Sequence, residues 1–109
     1  GITTAKQLGC SLIITLDCGI KSIDKIAHAT SLGIDVIVCD HHEPGEEIPD
    51  CVAVLDPKRK DCSYPFKELC GCGVGFKLIC ALIDTRRLDP ELKYEWLDLL
   101  VLAIGADIV

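Results

Sequence analysis

Two hydrophobic rhythms alternate along the chain. Short runs of apolar, largely β-branched residues are separated by longer stretches in which apolar positions recur every third or fourth residue. Residues 2 to 9 read as the end of a helix closing on Gly9, a residue suited to helix C-termini. Leu12-Ile13-Ile14-Thr15-Leu16 is almost wholly apolar, the signature of a strand buried on both faces, and it ends at Asp17-Cys18-Gly19. Ser22 is placed to cap a helix that turns Ile23, Ile26, Ala27 and Thr30 inward and stops at Leu32-Gly33. A second apolar run, Asp35 to Cys39, ends at Asp40-His41-His42. Strand, helix and strand at this spacing form a βαβ unit with a right-handed crossover.

The second half continues the alternation. Glu43 to Asp50, with Pro44, Gly45 and Pro49, is a polar loop. Val52 to Leu55 is a short third strand closed by Asp56-Pro57, and Lys58 to Pro65 is irregular and locally basic. Gly71-Cys72-Gly73-Val74-Gly75 opens a helix with Val74, Leu78, Ile79, Leu82 and Ile83 inward. Pro90 opens a last helix, apolar on all sides from Leu97 and therefore expected in the core, which delivers Gly105-Ala106-Asp107. The pattern predicts an α/β domain with a mainly parallel sheet flanked by helices. No internal repeat or low-complexity segment is present.

Composition narrows the picture only a little. With 109 residues, half of them hydrophobic and 26% charged, the chain is one globular domain at most. It begins with Gly, contains no Met and ends in apolar sequence, so it is expected to be a piece of a longer protein. Eight cysteines include no C-x-x-C pair. Several sit inside or at the ends of apolar runs, which favours reduced, structural thiols in a cytoplasmic protein. A zinc site on Cys62, Cys70 and Cys72 is the weaker alternative. No apolar run approaches the ~18 residues of a membrane span, and no membrane association is expected. The net charge of −6 disfavours this chain, by itself, as a nucleic-acid-binding surface.

The strand ends carry the chemistry. Ligands of open parallel sheets bind outside the carboxyl ends of the strands, where Asp17 and Asp40-His41-His42 sit one βαβ unit apart. Carboxylates with imidazole suit Mg²⁺ or Mn²⁺, with a tilt toward Mn²⁺. Two such ions sharing a bridging carboxylate activate water for phosphoester hydrolysis. Plainer readings stand beside this one: Asp17 as a turn former, Asp107 as a helix-end residue, His28 as a solvated side chain. Lys58-Arg59-Lys60 is equally at home in a solvated loop, and Gly71, Gly73 and Gly75 do not directly follow a strand as a phosphate-cradling loop would.

These residues carry a family resemblance. Asp40-His41-His42 after an apolar strand resembles the motif that names the DHH phosphoesterase superfamily. LDCG at 16–19 is similar to its second motif and GADIV at 105–109 to its fourth. The segment DPKRKDCSYPFKELCGCGVGFKL, 56–78, resembles the RecJ branch, although Asp56 stands where that branch usually has Asn.

The resemblance implies a three-layer DHH-type domain, of which residues 1–109 would be one part. It implies a 5′-to-3′ exonuclease of single-stranded DNA, acting in DNA repair and recombination with two Mn²⁺ or Mg²⁺ ions. Asp17 would bridge the ions, His41 and Asp107 would be ligands, and His42 would contact the scissile phosphate. Asp40 would orient His41, and Lys58 and Arg59 would touch substrate. The family's first motif, a D-x-D cluster upstream of Asp17, has no counterpart here, since no acidic residue precedes Asp17. The chain alone is therefore expected to be inactive. Two further readings are a DHH phosphoesterase of short oligonucleotides or pyrophosphate, and a non-catalytic α/β interaction module.

Overall fold

The computed structural model describes residues 1–108. Val109, the last residue of the GADIV stretch, lies outside them. Three parallel strands form one sheet in the order β1-β2-β3: β1 Leu12–Leu16, β2 Asp35–Cys39 and β3 Ala53–Leu55. The register pairs Leu16 with Cys39 and Cys39 with Leu55, so all three strands end level with one another.

Helices lie on both faces. α1 (Ile2–Gln7) and α2 (Ile23–Ser31) accompany the first face. Ile26, Ala29, Ile34, Val36 and Val38 form the core there, with Ile2, Ile13 and Val54 packed against it. α3 (Gly71–Arg86) packs on the other face against β1 and β2. A 3₁₀ turn, Pro90–Lys93, then leads to α4 (Leu97–Asp107), which packs on α3. The expected α/β architecture with helices flanking a parallel sheet is therefore present.

Four sequence expectations change. β1 is covered on one face only: Ile13 and Thr15 point into the core, while Leu12, Ile14 and Leu16 are exposed, because α3 reaches only the end of that face. On α2 the buried position is Ala29 with Ile26, not Ala27 or Thr30, since the helix presents the i, i+3 pair to β2. On α3 only Val74 and Ile83 of the predicted inward set are buried, and Ile79 and Leu82 are exposed. The last helix, expected in the core, is largely open. Leu99, Val101 and Leu102 are exposed because α3 offers one apolar flank, which takes up Leu100 and Ile104 beside Phe66 and Phe76.

Candidate metal centre

The carboxyl edge of the sheet gathers the predicted side chains. Asp17 follows β1 and adopts a left-handed backbone, φ 62°, which an aspartate tolerates better than most residues. Its N–H donates to the Cys39 carbonyl (2.9 Å), extending the ladder one rung past the strand. Asp40 N–H does the same toward the Leu55 carbonyl (3.0 Å). The turn after β1 therefore starts from a fixed backbone.

His41 is buried, and its Nε2 lies 3.0 Å from Asp17 Oδ1 and 3.5 Å from Asp107 Oδ2. Asp107 arrives from the last turn of α4. A carboxylate there opposes the helix dipole, which favours cations at that end, so helix stability does not explain its presence. Donor atoms of Asp17, His41 and His42 also lie within 4.8 Å of one another. Two carboxylates converge on one imidazole nitrogen, a set of oxygen and nitrogen donors at the mutual spacing a divalent ion of the Mn²⁺ or Mg²⁺ type requires. A groove of about 270 Å³ between the start of α3 and the end of α4 leads to Asp17 and Asp107.

Asp40 is the buried pivot of the site, with 1% of its surface exposed. Its Oδ2 accepts from Ile20 N–H (2.9 Å), and its Oδ1 accepts from His41 N–H (2.8 Å) and, more weakly, His42 N–H (3.3 Å). Oδ1 also lies 2.6 Å from His42 Nδ1. The expectation that Asp40 orients the His41 ring is corrected by this geometry: it holds the backbone of His41 but the ring of His42. The His42 ring stands on the solvent side with its Nε2 free of Asp40, edge-on to His41 at a centroid distance of 4.7 Å.

The electrostatics follow from these contacts. Burial pushes the Asp40 carboxyl upward, but the hydrogen bonds from Ile20, the His42 ring and the two backbone amides together hold it below the ordinary carboxylate value. The bond to Asp40 raises His42, against a smaller effect of burial and with help from the charges of Asp40, Asp17 and Asp107. His42 is thereby favoured as a cation at the solvent side of the cluster.

The basic loop divides differently from expectation. The Arg59 guanidinium is committed to structure: Nη1 donates to the Val54 carbonyl (2.6 Å), and Nε and Nη2 grip Asp61 (3.0 and 2.6 Å). Lys58 lies beside Lys60 and Lys67 in a shallow basic recess, and Lys67 donates to the Cys62 carbonyl. Cys62, Cys70 and Cys72 form no metal-holding group among the described residues, and Cys70 Sγ instead caps α3 by accepting from Gly73 N–H (3.3 Å). His28 is exposed on α2.

Two contributors escaped the sequence reading. Gly71 lets the start of α3 approach Asp17: a Cβ there would lie 2.5 Å from the Asp17 Cα and also strike its carboxylate. Gly75 likewise makes room for the Leu16 side chain. Their glycine content reads as a phosphate loop in sequence, and only the fold shows that it serves close packing. Ile20, whose amide satisfies Asp40, carries no sequence signal at all.

Comparison with known proteins agrees with this site. The family model described as DHH family, N-terminal domain, matches residues 3–104. The chain is similar to the single-stranded-DNA-specific exonuclease RecJ of Bacillus subtilis (strain 168), at 50% identity over 104 residues, covering 95% of this chain and 12% of that protein. It is 41% identical over 117 residues to RecJ of Escherichia coli (strain K12), covering 99% of this chain and 20% of that one. Among solved structures, RecJ from Thermus thermophilus in complex with Mn²⁺ superposes with TM-score 0.79 and 30% identity, covering 100% of this chain and 16% of that one. A manganese-bound exonuclease RecJ gives 0.76 at 35% identity, covering 90% and 24% respectively. The chain thus spans between an eighth and a quarter of the length of these relatives. With the family model matched over nearly its whole length, the chain belongs to the DHH family.

Proposed function

We propose that this domain supplies part of the metal site of an exonuclease that removes nucleotides from the 5′ end of single-stranded DNA, in repair and recombination in the cytoplasm. The observation that carries the reading is the convergence of Asp17 Oδ1 and Asp107 Oδ2 on His41 Nε2 at the carboxyl edge of the sheet. Similarity to RecJ proteins, two of them solved with manganese, supports the substrate and the metal.

Asp17, His41 and Asp107 would hold Mn²⁺ or Mg²⁺, with Asp17 shared between two ions. Bound there, such ions lower the pKa of water and neutralise charge on a phosphodiester. His42, kept cationic by Asp40, faces solvent, where it can donate a hydrogen bond from Nε2 to a phosphate oxygen. Asp40 keeps that ring fixed and turned, because its other oxygen is anchored to Ile20. Lys58 lies close enough to β3 to attract the strand, while Arg59, tied to Val54 and Asp61, shapes the loop that carries Lys58. No acidic residue precedes Asp17, so donors for a second ion are few and the chain by itself binds metal weakly and turns over no substrate.

The test is nucleotide release from 5′- and 3′-labelled single-stranded DNA by the full-length protein with Mn²⁺, beside its Asp17→Asn variant. Loss from the 5′ end that disappears in the variant is expected. Hydrolysis of di- or trinucleotides without attack on long strands would move the protein to the small-substrate branch of the family, and no hydrolysis of either would leave a non-catalytic role.

A further inference from the structure

A second cavity opens at the same edge of the sheet, one strand away from the metal centre. It measures about 410 Å³ and lies beyond β3, between the loop after Asp56 and the start of α3. Leu55, Leu69 and Val74 give it apolar walls, Tyr64 stands at its side, and Arg59 closes one end with a guanidinium already tied to Val54 and Asp61. The size lies at the low end of small-molecule sites.

Asp56 supplies the polar group. Only 3% of its surface is exposed, yet it lines the cavity. Oδ1 accepts from Lys58 N–H (2.8 Å), while Oδ2 is buried with no hydrogen-bond partner. Folded chains satisfy nearly all such atoms, and an exception marks a place where another group is to be received. Because Leu55 pairs with Cys39, the residues that follow them, Asp56 and Asp40, stand on adjacent strand ends about 5 Å apart.

We propose that this cavity seats one nucleobase, held through an N–H donated to Asp56 Oδ2. A flat ring fits apolar walls beside a tyrosine, since stacking on aromatic side chains accepts any base. The carboxylate then selects among bases. Guanine offers two adjacent N–H donors and cytosine or adenine an amino group, whereas the single N–H of thymine is flanked by two carbonyl oxygens that the carboxylate repels. The choice of a base over other flat N–H donors rests on the nucleic-acid reading above.

The test uses nucleosides, which lack the phosphate that the metal centre would attract. Binding of deoxyguanosine and thymidine to the full chain is titrated in the presence of EDTA. Deoxyguanosine is expected to bind at least tenfold more tightly. Asp56→Asn, which can present an amide N–H in place of the oxygen, should cost deoxyguanosine tenfold and narrow or reverse the preference, while Asp17→Asn should change neither. Equal binding of the two nucleosides, no binding, or an unaltered preference in Asp56→Asn overturns the seat. Degradation of labelled single-stranded DNA, run on the same full-length protein, separates the two readings. Degradation without nucleoside preference removes the seat and leaves the exonuclease, and nucleoside preference without degradation keeps the seat and removes the exonuclease.

Discussion

Replacing Gly71 with alanine sets two effects of opposite sign against each other. Gly71 is the first residue of α3, and exchanging glycine for alanine in a helix contributes up to about 1 kcal/mol of stability. The added methyl, however, would sit 2.5 Å from the Asp17 Cα, well inside van der Waals contact and against backbone rather than a yielding side-chain tip. Overpacking of this kind costs about 1–3 kcal/mol. Asp17 cannot retreat easily, because its amide is bonded to Cys39 and its backbone is already left-handed. Gly71→Ala should therefore lower stability by about 1–2 kcal/mol in denaturant titration and weaken Mn²⁺ binding in calorimetry, since α3 or Asp17 must move. Gly105→Ala is the matched control. Gly105 lies inside α4 with nothing within 4 Å of its would-be Cβ, so the same exchange should stabilise by about 0.5–1 kcal/mol. If both variants are stabilised and metal affinity is unchanged, the role given to Gly71 is wrong.

Other expectations can be checked with the same methods. Asp17→Asn should keep the fold, because asparagine also tolerates positive φ, whereas Asp17→Ala should lose an additional ~1 kcal/mol of stability; equal melting curves would contradict the strained turn. Asp40 and His42 support the fold in a defined pH window. The lowered Asp40 contributes above the ordinary carboxylate range and loses its effect as pH falls through its depressed value. The raised His42 contributes fully below the ordinary histidine range and loses its effect as pH rises through its elevated value. Asp40→Asn should flatten the stability profile at both ends, and a profile parallel to wild type refutes the pairing. Burial raises Asp56, partly offset by the Lys58 amide, so its ionisation opposes folding above the ordinary carboxylate range. Asp56→Asn should then gain about 1 kcal/mol at pH 7 and progressively less below pH ~4, measured as a shift in the urea midpoint.

What could be read beforehand depended on the range of the interaction. The strands and their order of charged termini were legible because β-branched runs ending in Asp17 and Asp40 obey local rules. Asp107 could be linked to them only through the family pattern, for nothing local distinguishes a ligand from an ordinary helix end. Solvent exposure was misjudged where it depends on which neighbours exist: Leu97 to Ile104 is apolar on every side, but α3 covers just one. The ring held by Asp40 was also beyond reach, since His41 and His42 are adjacent and only the turn geometry decides which faces the carboxylate. Asp56 looked like a strand terminator before Pro57. Its unpaired oxygen is a property of the loop that folds over it.

The two rungs that prolong the sheet beyond its strands set the timescale on which the site can open. Asp17 and Asp40 amides, bonded to Cys39 and Leu55, exchange with solvent only when the sheet edge itself separates, so they should be among the slowest in hydrogen exchange. Asp107 has no such tether, for it rides the end of a helix whose main support is another helix. Ion capture is then ordered in time. The Asp17–His41 edge waits in position, and Asp107 arrives as a latch whose motion governs how fast an ion leaves.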